Sequence, residues 1–282
     1  MTPTENFEIE RRDLEFDLSD VDLKHWHPAG THVSMLFNTL SLLFPDGERF
    51  FIQSVRHYQD QIDDPVLKQQ VRGFIGQEAM HGREHQAYND ALEREGLPAK
   101  VIQEKVLDLL KMGHKLLSPR SQLAITIALE HFTAILADAV LSDDRILQGV
   151  HPKMAALWRW HAIEETEHKA VAYDVYQATQ SGIMGYLRRC WIMFTISIEF
   201  LVRSFMFHRK MIRAAGFEHD KQARRNYLAF MFTTPGVLRQ VLPAWLSYFK
   251  PGFHPWKHDN RYHVERWKTA FAEGGAPPAH WD

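Results

Sequence analysis

Hydrophobic residues recur every three to four positions along most of the chain, which is the period of an amphipathic helix. The pattern predicts helices over residues 47–60, 65–94, 100–117, 119–141, 153–179 and 186–212. No run alternates with period two for more than a few residues, and no Asn-Gly hairpin signal occurs. The sequence therefore predicts an all-α protein.

The same pattern divides the chain into three parts. Residues 1–30 lack sustained periodicity and are expected to form an extended arm that lies on the body. Residues 31–180 hold the central helices and predict a helical bundle, and residues 181–282 predict a helical extension packed on it. Within that extension, residues 242–267 are rich in Trp, Tyr, Pro and His, which predicts an irregular cap over the bundle or over a dimer partner.

Composition narrows the class of protein. The 282 residues include 33 Lys and Arg against 35 Asp and Glu, so no global basic field favours nucleic acid as a partner. The single cysteine, Cys190, excludes an intramolecular disulfide and a thiolate metal cluster, and it fits a reducing cytoplasm. The first twenty residues are acidic and polar, unlike a secretory signal or a transit peptide. A cytoplasmic location is therefore expected.

Four of the predicted helices are largely apolar but carry ionisable residues near their middle or start. In chain order these are Glu48, Glu78 with His81, Glu130, and Glu165 with His168. A residue three positions further along a helix is rotated by about 300°, so each Glu-x-x-His pair lies on one face. Each pair can therefore point to the same side of its helix.

The positions also match between helices. Two antiparallel helices bring residues level when both lie equally far from the connecting turn. Glu48 and Glu78 are centred on Asp63, inside one predicted turn. Glu130 and Glu165 are centred inside the next predicted loop. All four carboxylates are thus predicted at matching heights, although Glu48 also fits a first-turn glutamate favoured by the helix dipole.

Four buried carboxylates cannot all ionise without compensation, because each charge in an apolar core is costly. Two divalent cations would supply that compensation, and a mixed N/O ligand set suits iron or manganese. One Glu from each of two helices and Glu-x-x-His from two others is the pattern of the ferritin-like di-iron carboxylate proteins, which this sequence resembles. The resemblance implies a ferritin-like four-helix bundle with two Fe ions, or Mn or a mixed Fe/Mn pair.

His161 precedes Glu165 by one turn, and with Glu165 and His168 it lies within roughly 60° of arc. This H-x-x-x-E-x-x-H spacing is similar to that of the para-aminobenzoate N-oxygenase type of arylamine N-oxygenase, whose di-iron site adds a third histidine at this place. The resemblance implies that His161 is an extra ligand, on the ion near Glu165 and His168. The alternative is that His161 hydrogen-bonds a ligating carboxylate.

Other ionisable residues on these helices have supporting or neutral interpretations. His85 lies seven residues after Glu78, too far along the axis for a ligand, and is expected to orient one or to line the pocket. Glu164 and Glu167 point away from the ligand face and are expected at the surface or behind the ligands. The side chains expected to be capped or solvated are His57, Glu84 and His131.

A second resemblance covers most of the chain. The segments that carry it are FIQSVRHY, GQEAMHGREH, WHAIEETEHKAVAYDVY and FKPGFHPW. They resemble the bacterial family catalogued as predicted metal-dependent hydrolases. The family name implies hydrolysis, whereas the ligand set has the composition of an oxygen-activating site, and no G-x-S-x-G motif occurs. Nothing resembles the substrate pocket of the N-oxygenases, so arylamine specificity is not implied.

Residues 190–207 form an apolar run that is interrupted by Glu199 and Arg203, which can pair at i,i+4. A core helix packed on the bundle is expected, because a membrane-spanning helix needs about 20 predominantly apolar residues. Peripheral membrane contact is the alternative, because cations flank the run: Arg188, Arg189, Arg209 and Lys210.

Together these features predict a di-iron or di-manganese oxidoreductase that activates O₂ on a small or elongated apolar substrate, with an external electron donor. The rival enzyme is a metal-dependent hydrolase that uses metal-activated water. The non-enzymatic rival is iron binding or storage.

Overall fold

The computed structural model describes residues 9–274 and confirms the all-α fold, with no strand in that range. The helices are α1 (Thr31–Ser41), α2 (Phe44–Arg56), α3 (Pro65–Arg94), α4 (Ala99–Leu116), α5 (Pro119–Ser142), α6 (Pro152–His168), α7 (Val171–Thr179), α8 (Ile183–Ala214), α9 (Lys221–Phe232), α10 (Val237–Ser247) and α11 (Arg261–Gly274).

The two longest bundle helices begin where their sequences predict. The Asp64 side chain accepts a hydrogen bond from the backbone N–H of Val66 at 2.8 Å, and Pro65 opens α3. Ser118 caps α5 in the same way, and Pro119 follows it. A capping oxygen satisfies an N–H that has no partner in the first turn, and proline has no N–H to satisfy there.

Two predicted helices have different bounds in the structure. The first bundle helix begins at Phe44 rather than at residue 47, because Pro45 is accommodated in its first turn. The helix predicted over 153–179 is interrupted after His168, which separates α6 from α7. At this break the Lys169 ammonium donates to the backbone oxygen of His258 at 2.7 Å, which ties the break to the C-terminal segment.

The predicted irregular cap is partly helical. Residues 242–247 belong to α10, and residues 261–267 belong to α11, so only the segment between these helices is irregular. Pro243 lies inside α10 without ending it. The division of the chain into an arm, a bundle and an extension stays a prediction.

Four helices, α2, α3, α5 and α6, surround the centre of the molecule. The helix α2 packs along α3, and α5 packs along α6, while contacts from α2 to α5 and from α3 to α6 complete the ring. Every residue from Met154 to His168 is buried, so α6 has no solvent face. A polar side chain on α6 must therefore find its partner inside the protein.

The remaining segments cover this bundle. The helix α4 contacts α2 and α3, α10 contacts α5, and α11 contacts α6. The arm before α1 crosses α3 at Gly73, where an added Cβ would lie 2.7 Å from Ile9. This crossing carries Arg12 into the interior, where it is 7% exposed.

By length and composition alone, α5 and α8 are apolar enough to cross a membrane. The apolar window of α5 is 67% buried, as expected of a core helix, but that of α8 is only 17% buried. One side of α8 packs on α1 and α5, and the other side is exposed. The expectation that this segment is a core helix is therefore correct for one face only.

Candidate metal centre

All seven predicted ligands converge in the interior of the bundle. They are Glu48 on α2, Glu78 and His81 on α3, Glu130 on α5, and His161, Glu165 and His168 on α6, and each is buried. Their ligand atoms form three overlapping groups, each with all atoms within 4.8 Å of one another. The groups are Glu48 with His81 and His161, Glu78 with His81 and Glu165, and Glu78 with Glu130 and His168.

Two carboxylates lie between the ends of this cluster. Glu165 Oε1 is 3.2 Å from His161 Nε2, and Glu165 Oε2 is 3.5 Å from His168 Nε2. Glu78 Oε1 is 3.7 Å from His81 Nδ1 and 3.1 Å from His168 Nε2. Glu78 and Glu165 therefore lie in the middle of the cluster, with one further carboxylate, Glu48 or Glu130, at each end.

The structure places His161 beside His81, not beside His168 as the sequence suggested. The rings of His161 and His81 are stacked with centroids 4.3 Å apart. Along α6, His161 precedes Glu165 by one turn and His168 follows it, so the two histidines lie on opposite sides of the carboxylate. The centre thus has two imidazoles at the Glu48 end and one at the Glu130 end.

The seven residues have buried ligand atoms without hydrogen-bond partners, and a bound cation would satisfy these atoms. Each contributes at least one buried ligand atom that has no hydrogen-bond partner among residues 9–274, and Glu48, Glu78 and Glu130 each contribute both carboxylate oxygens. Buried polar atoms in native proteins almost always have partners. Such a concentration of exceptions at one point indicates that positive ions complete these contacts.

Hydrogen bonds on the far side of each ring leave a lone pair facing the cluster. His81 Nε2 is 3.1 Å from Glu164 Oε2, so this nitrogen carries the proton and Nδ1 is free. His168 Nδ1 is 2.9 Å from Gln77 Oε1, and the Gln77 amide nitrogen donates to Glu167 at 2.6 Å. The Gln77 oxygen is therefore an acceptor, and His168 Nε2 is free to bind a cation.

The tautomer of His161 follows from a longer chain of hydrogen bonds. The Asn89 amide nitrogen donates to the backbone oxygen of Ser41, so Asn89 Oδ1 accepts from the Ser41 hydroxyl at 2.7 Å. The Ser41 oxygen then accepts from His85 Nδ1 at 2.9 Å, and His85 Nε2 accepts from His161 Nδ1 at 2.9 Å. The free lone pair of His161 is consequently on Nε2, which faces Glu165, as a ligand requires. His85 has the orienting position expected for it.

A buried arginine supports the hydrogen bonds behind His81 and His168. Arg12 Nη1 donates to Glu164 at 3.0 Å, and Arg12 Nη2 donates to Glu167 at 2.7 Å. Glu164 bonds to His81, and Glu167 holds the Gln77 amide that orients His168. The surface alternative for Glu164 and Glu167 is thus wrong, because α6 is buried on every side.

Electrostatics at the centre favour a bound cation. Burial, followed by neighbouring carboxylates, raises the pKa of Glu48 and of Glu130 well above the ordinary range. Burial also opposes ionisation of Glu165, but His168 and His161 hold its pKa well below the ordinary value. Without cations, the cluster therefore favours one ionised carboxylate among protonated ones. Divalent ions would replace those protons.

An apolar cavity of about 600 Å³ adjoins the centre. At its inner end it is lined by His161, Ala162 and Gly47, the residue before Glu48. At its outer end the lining includes Leu116 and Phe205, which are 69% and 59% exposed. The cavity therefore runs from the surface to the Glu48 end of the centre, and its volume is typical of small-molecule sites.

The three residues expected to be capped or solvated differ in their burial. His57 is exposed, whereas Glu84 and His131 are buried. Glu84 accepts from the backbone N–H of Phe16 at 2.9 Å, and His131 Nε2 is 3.1 Å from the backbone oxygen of Ala244. Both have structural partners away from the metal cluster.

Of three comparisons with known proteins, one gives a match. Neither the curated proteins nor the solved structures yield a match to this chain. A family model does match, over residues 10–259, which span both the ligand cluster and its supporting arm. By that match the chain belongs to the family described as predicted metal-dependent hydrolases.

Proposed function

We propose that the protein is a metal-dependent hydrolase that cleaves an elongated apolar substrate at a two-ion centre. The observation that carries the proposal is the apolar cavity that ends at His161, beside seven buried ligands that have unsatisfied atoms. The family description favours hydrolysis over the oxygenase chemistry expected from the ligand set.

The ligands divide into two ion positions. Glu48, His81 and His161 would hold one ion, Glu130 and His168 would hold the other, and Glu78 and Glu165 lie between these two groups and would contribute ligand oxygens. A bound divalent ion would lower the pKa of a water ligand and polarise a substrate carbonyl.

The surrounding residues prepare the centre for that chemistry. The hydrogen bonds from His85 to Ser41 and Asn89 keep the His161 lone pair facing inward. The apolar cavity wall would orient a hydrocarbon chain and exclude bulk water from its inner end. A substrate carbonyl would then lie next to the His161 side of the centre, where the cavity ends.

A second candidate is an O₂-dependent oxidoreductase with two Fe or Mn ions. The observation that favours it is the ligand set itself, four carboxylates and three imidazoles on four helices, which resembles the ferritin-like di-iron proteins. This reaction would also need an external electron donor, whereas hydrolysis needs neither donor nor O₂.

Metal loading and atmosphere separate these candidates. Protein loaded with Zn²⁺ under nitrogen should hydrolyse nitrophenyl esters, and the rate should increase with acyl chain length because the cavity is apolar. Two ions should bind per chain, and Glu130→Ala should remove most of that metal. Glu104→Ala, at an exposed position on α4, is the control and should retain full activity.

Three other results would contradict the hydrolase proposal. Hydrolysis that persists in Glu130→Ala would place the activity outside this centre. If the zinc form is inactive, and the Fe(II) form consumes O₂ in a manner that depends on Glu130, the oxidoreductase is correct. Binding of many iron ions per chain without turnover would instead support storage.

A further inference from the structure

The exposed side of α8 is almost entirely apolar. Ten of its large hydrophobic side chains are exposed: Ile183, Met184, Leu187, Trp191, Phe194, Ile198, Leu201, Val202, Phe205 and Met206. They recur every three or four residues over about 35 Å of helix. Soluble monomers rarely expose continuous apolar patches of this extent, so the face is typical of an interaction surface.

The buried side of α8 holds three polar residues among apolar ones such as Met193 and Phe207. Arg189 is 2% exposed and donates to the backbone oxygen of Lys250 at 3.0 Å. Ser197 accepts from the Trp245 indole at 2.9 Å, and His208 Nε2 is 2.9 Å from the backbone oxygen of His32. These contacts hold the inner side of α8 on the protein, whereas the ten exposed hydrophobic side chains have no covering element among the described residues.

Positive charge is concentrated in the same part of the chain. Residues 183–247, which contain α8, α9 and α10, hold ten Lys and Arg against three Asp and Glu, a formal charge of +7. The whole chain has a net charge of −2, so the rest of the protein is acidic. This segment alone would be attracted to an anionic surface.

The cavity opens on this face. Leu201 and Phe205 of α8 line its outer end and are exposed, as are Leu116 of α4 and Phe232 of α9. A molecule that enters the cavity must therefore pass the apolar side chains of α8.

We propose that the exposed face of α8 docks on an anionic lipid bilayer. The helix would lie along the membrane surface, because Arg189 and the other polar residues on the inner side of α8 hold this side of the helix against the rest of the protein. A second copy of the chain is a poorer occupant, since a symmetric dimer would bring two +7 segments together. Entry of an apolar substrate from the bilayer into the cavity rests on the proposed function, but the docking does not.

Vesicle binding by the full-length, metal-loaded protein tests the docking. Sedimentation should recover the protein with vesicles of phosphatidylcholine and phosphatidylglycerol, less with phosphatidylcholine alone, and less at high salt. The double variant Trp191→Glu, Ile198→Glu changes two exposed residues that do not line the cavity. It should weaken vesicle binding by at least about tenfold, since each apolar side chain contributes to interfacial binding.

Tyr262→Glu is the matched control, because Tyr262 is 60% exposed on α11, which packs on α6. This variant should bind vesicles like the wild type. Lack of vesicle binding by the wild type would overturn the proposal. Equal vesicle binding by the double variant and by Tyr262→Glu would also overturn it. So would a wild-type dimer that the double variant converts to a monomer without any effect of lipid. Vesicle binding is measured without substrate, so it can succeed when the hydrolase assay fails, and the reverse also holds.

Discussion

Replacement of Arg12 by alanine should destabilise the protein and weaken its metal binding together. The guanidinium is buried against Glu164 and Glu167, and these carboxylates are themselves 0% and 2% exposed. Without Arg12, two buried acids lose the cation that they share.

The contacts of Arg12 allow the expected loss of stability to be estimated. Removing one partner of a buried ion pair costs about 3–5 kcal/mol, because the other charge stays buried and uncompensated. Lys268 remains 3.3 Å from Glu167, which favours the lower part of this range. At about 2–4 °C per kcal/mol, the melting temperature should decrease by roughly 6–12 °C. Metal affinity should decrease by about 10–100-fold, because Glu164 and Glu167 orient His81 and His168.

Differential scanning calorimetry and metal titration measure both changes. Arg11→Ala is the control, because Arg11 is the neighbouring residue, is exposed, and pairs only weakly with Asp13 at 3.5 Å. Adding Glu167→Gln to Arg12→Ala should recover part of the stability, since it removes one of the two uncompensated acids. If Arg12→Ala and Arg11→Ala have the same melting temperature and metal affinity, the supporting role of Arg12 is wrong.

Three further predictions concern the centre itself. His85→Leu should lower metal affinity by about 10–100-fold in titration calorimetry, because His161 loses its orienting acceptor; unchanged affinity would contradict the hydrogen-bond chain. Gly82→Ala should weaken metal binding, because the added Cβ would lie 3.1 Å from Glu48 Oε2. Gly113→Ala, whose nearest contact would be at 3.9 Å, should not, and equal effects would exclude this steric cause. The metal-free protein should melt at a lower temperature as pH increases above about 4.5, because burial raises the pKa of Glu130 well above that ordinary value, so the folded protein holds a proton that the unfolded protein has released. Glu130→Gln should flatten this dependence, and a flat wild-type profile would show that these acids are not protonated in the folded state.

The convergence of the ligands could be predicted from sequence because it depends on local rules. Helix period and caps define α3 and α5, and equal distances from a turn align Glu48 with Glu78 and Glu130 with Glu165. The position of His161, at the His81 end of the cluster, could not be predicted from these local rules. It depends on how α6 is placed along α3, which only tertiary packing decides.

The supporting residues left little signal in the sequence. Arg12, Ser41 and Asn89 are ordinary polar residues on three separate segments, and their roles arise from contacts between positions far apart in the chain. Glu164 and Glu167 did leave a signal, since the apolar residues on every side of α6 exclude a solvent face. The sequence favoured a core helix at α8, with membrane contact only as the alternative, because hydropathy measures how apolar a segment is and not which side of it is covered.

The meeting on α6 of the arm before α1 and of α11 has a consequence for biosynthesis. Glu167 contacts Arg12 near the start of the chain and Lys268 near its end, and Trp267 lies under the Arg12 guanidinium at 5.0 Å. During synthesis all seven ligands, the last of which is His168, leave the ribosome before α11 (Arg261–Gly274) does. A nascent chain can therefore bring its ligands together before α11 packs on α6. Premature termination before residue 267 should yield a protein that captures metal but releases it readily.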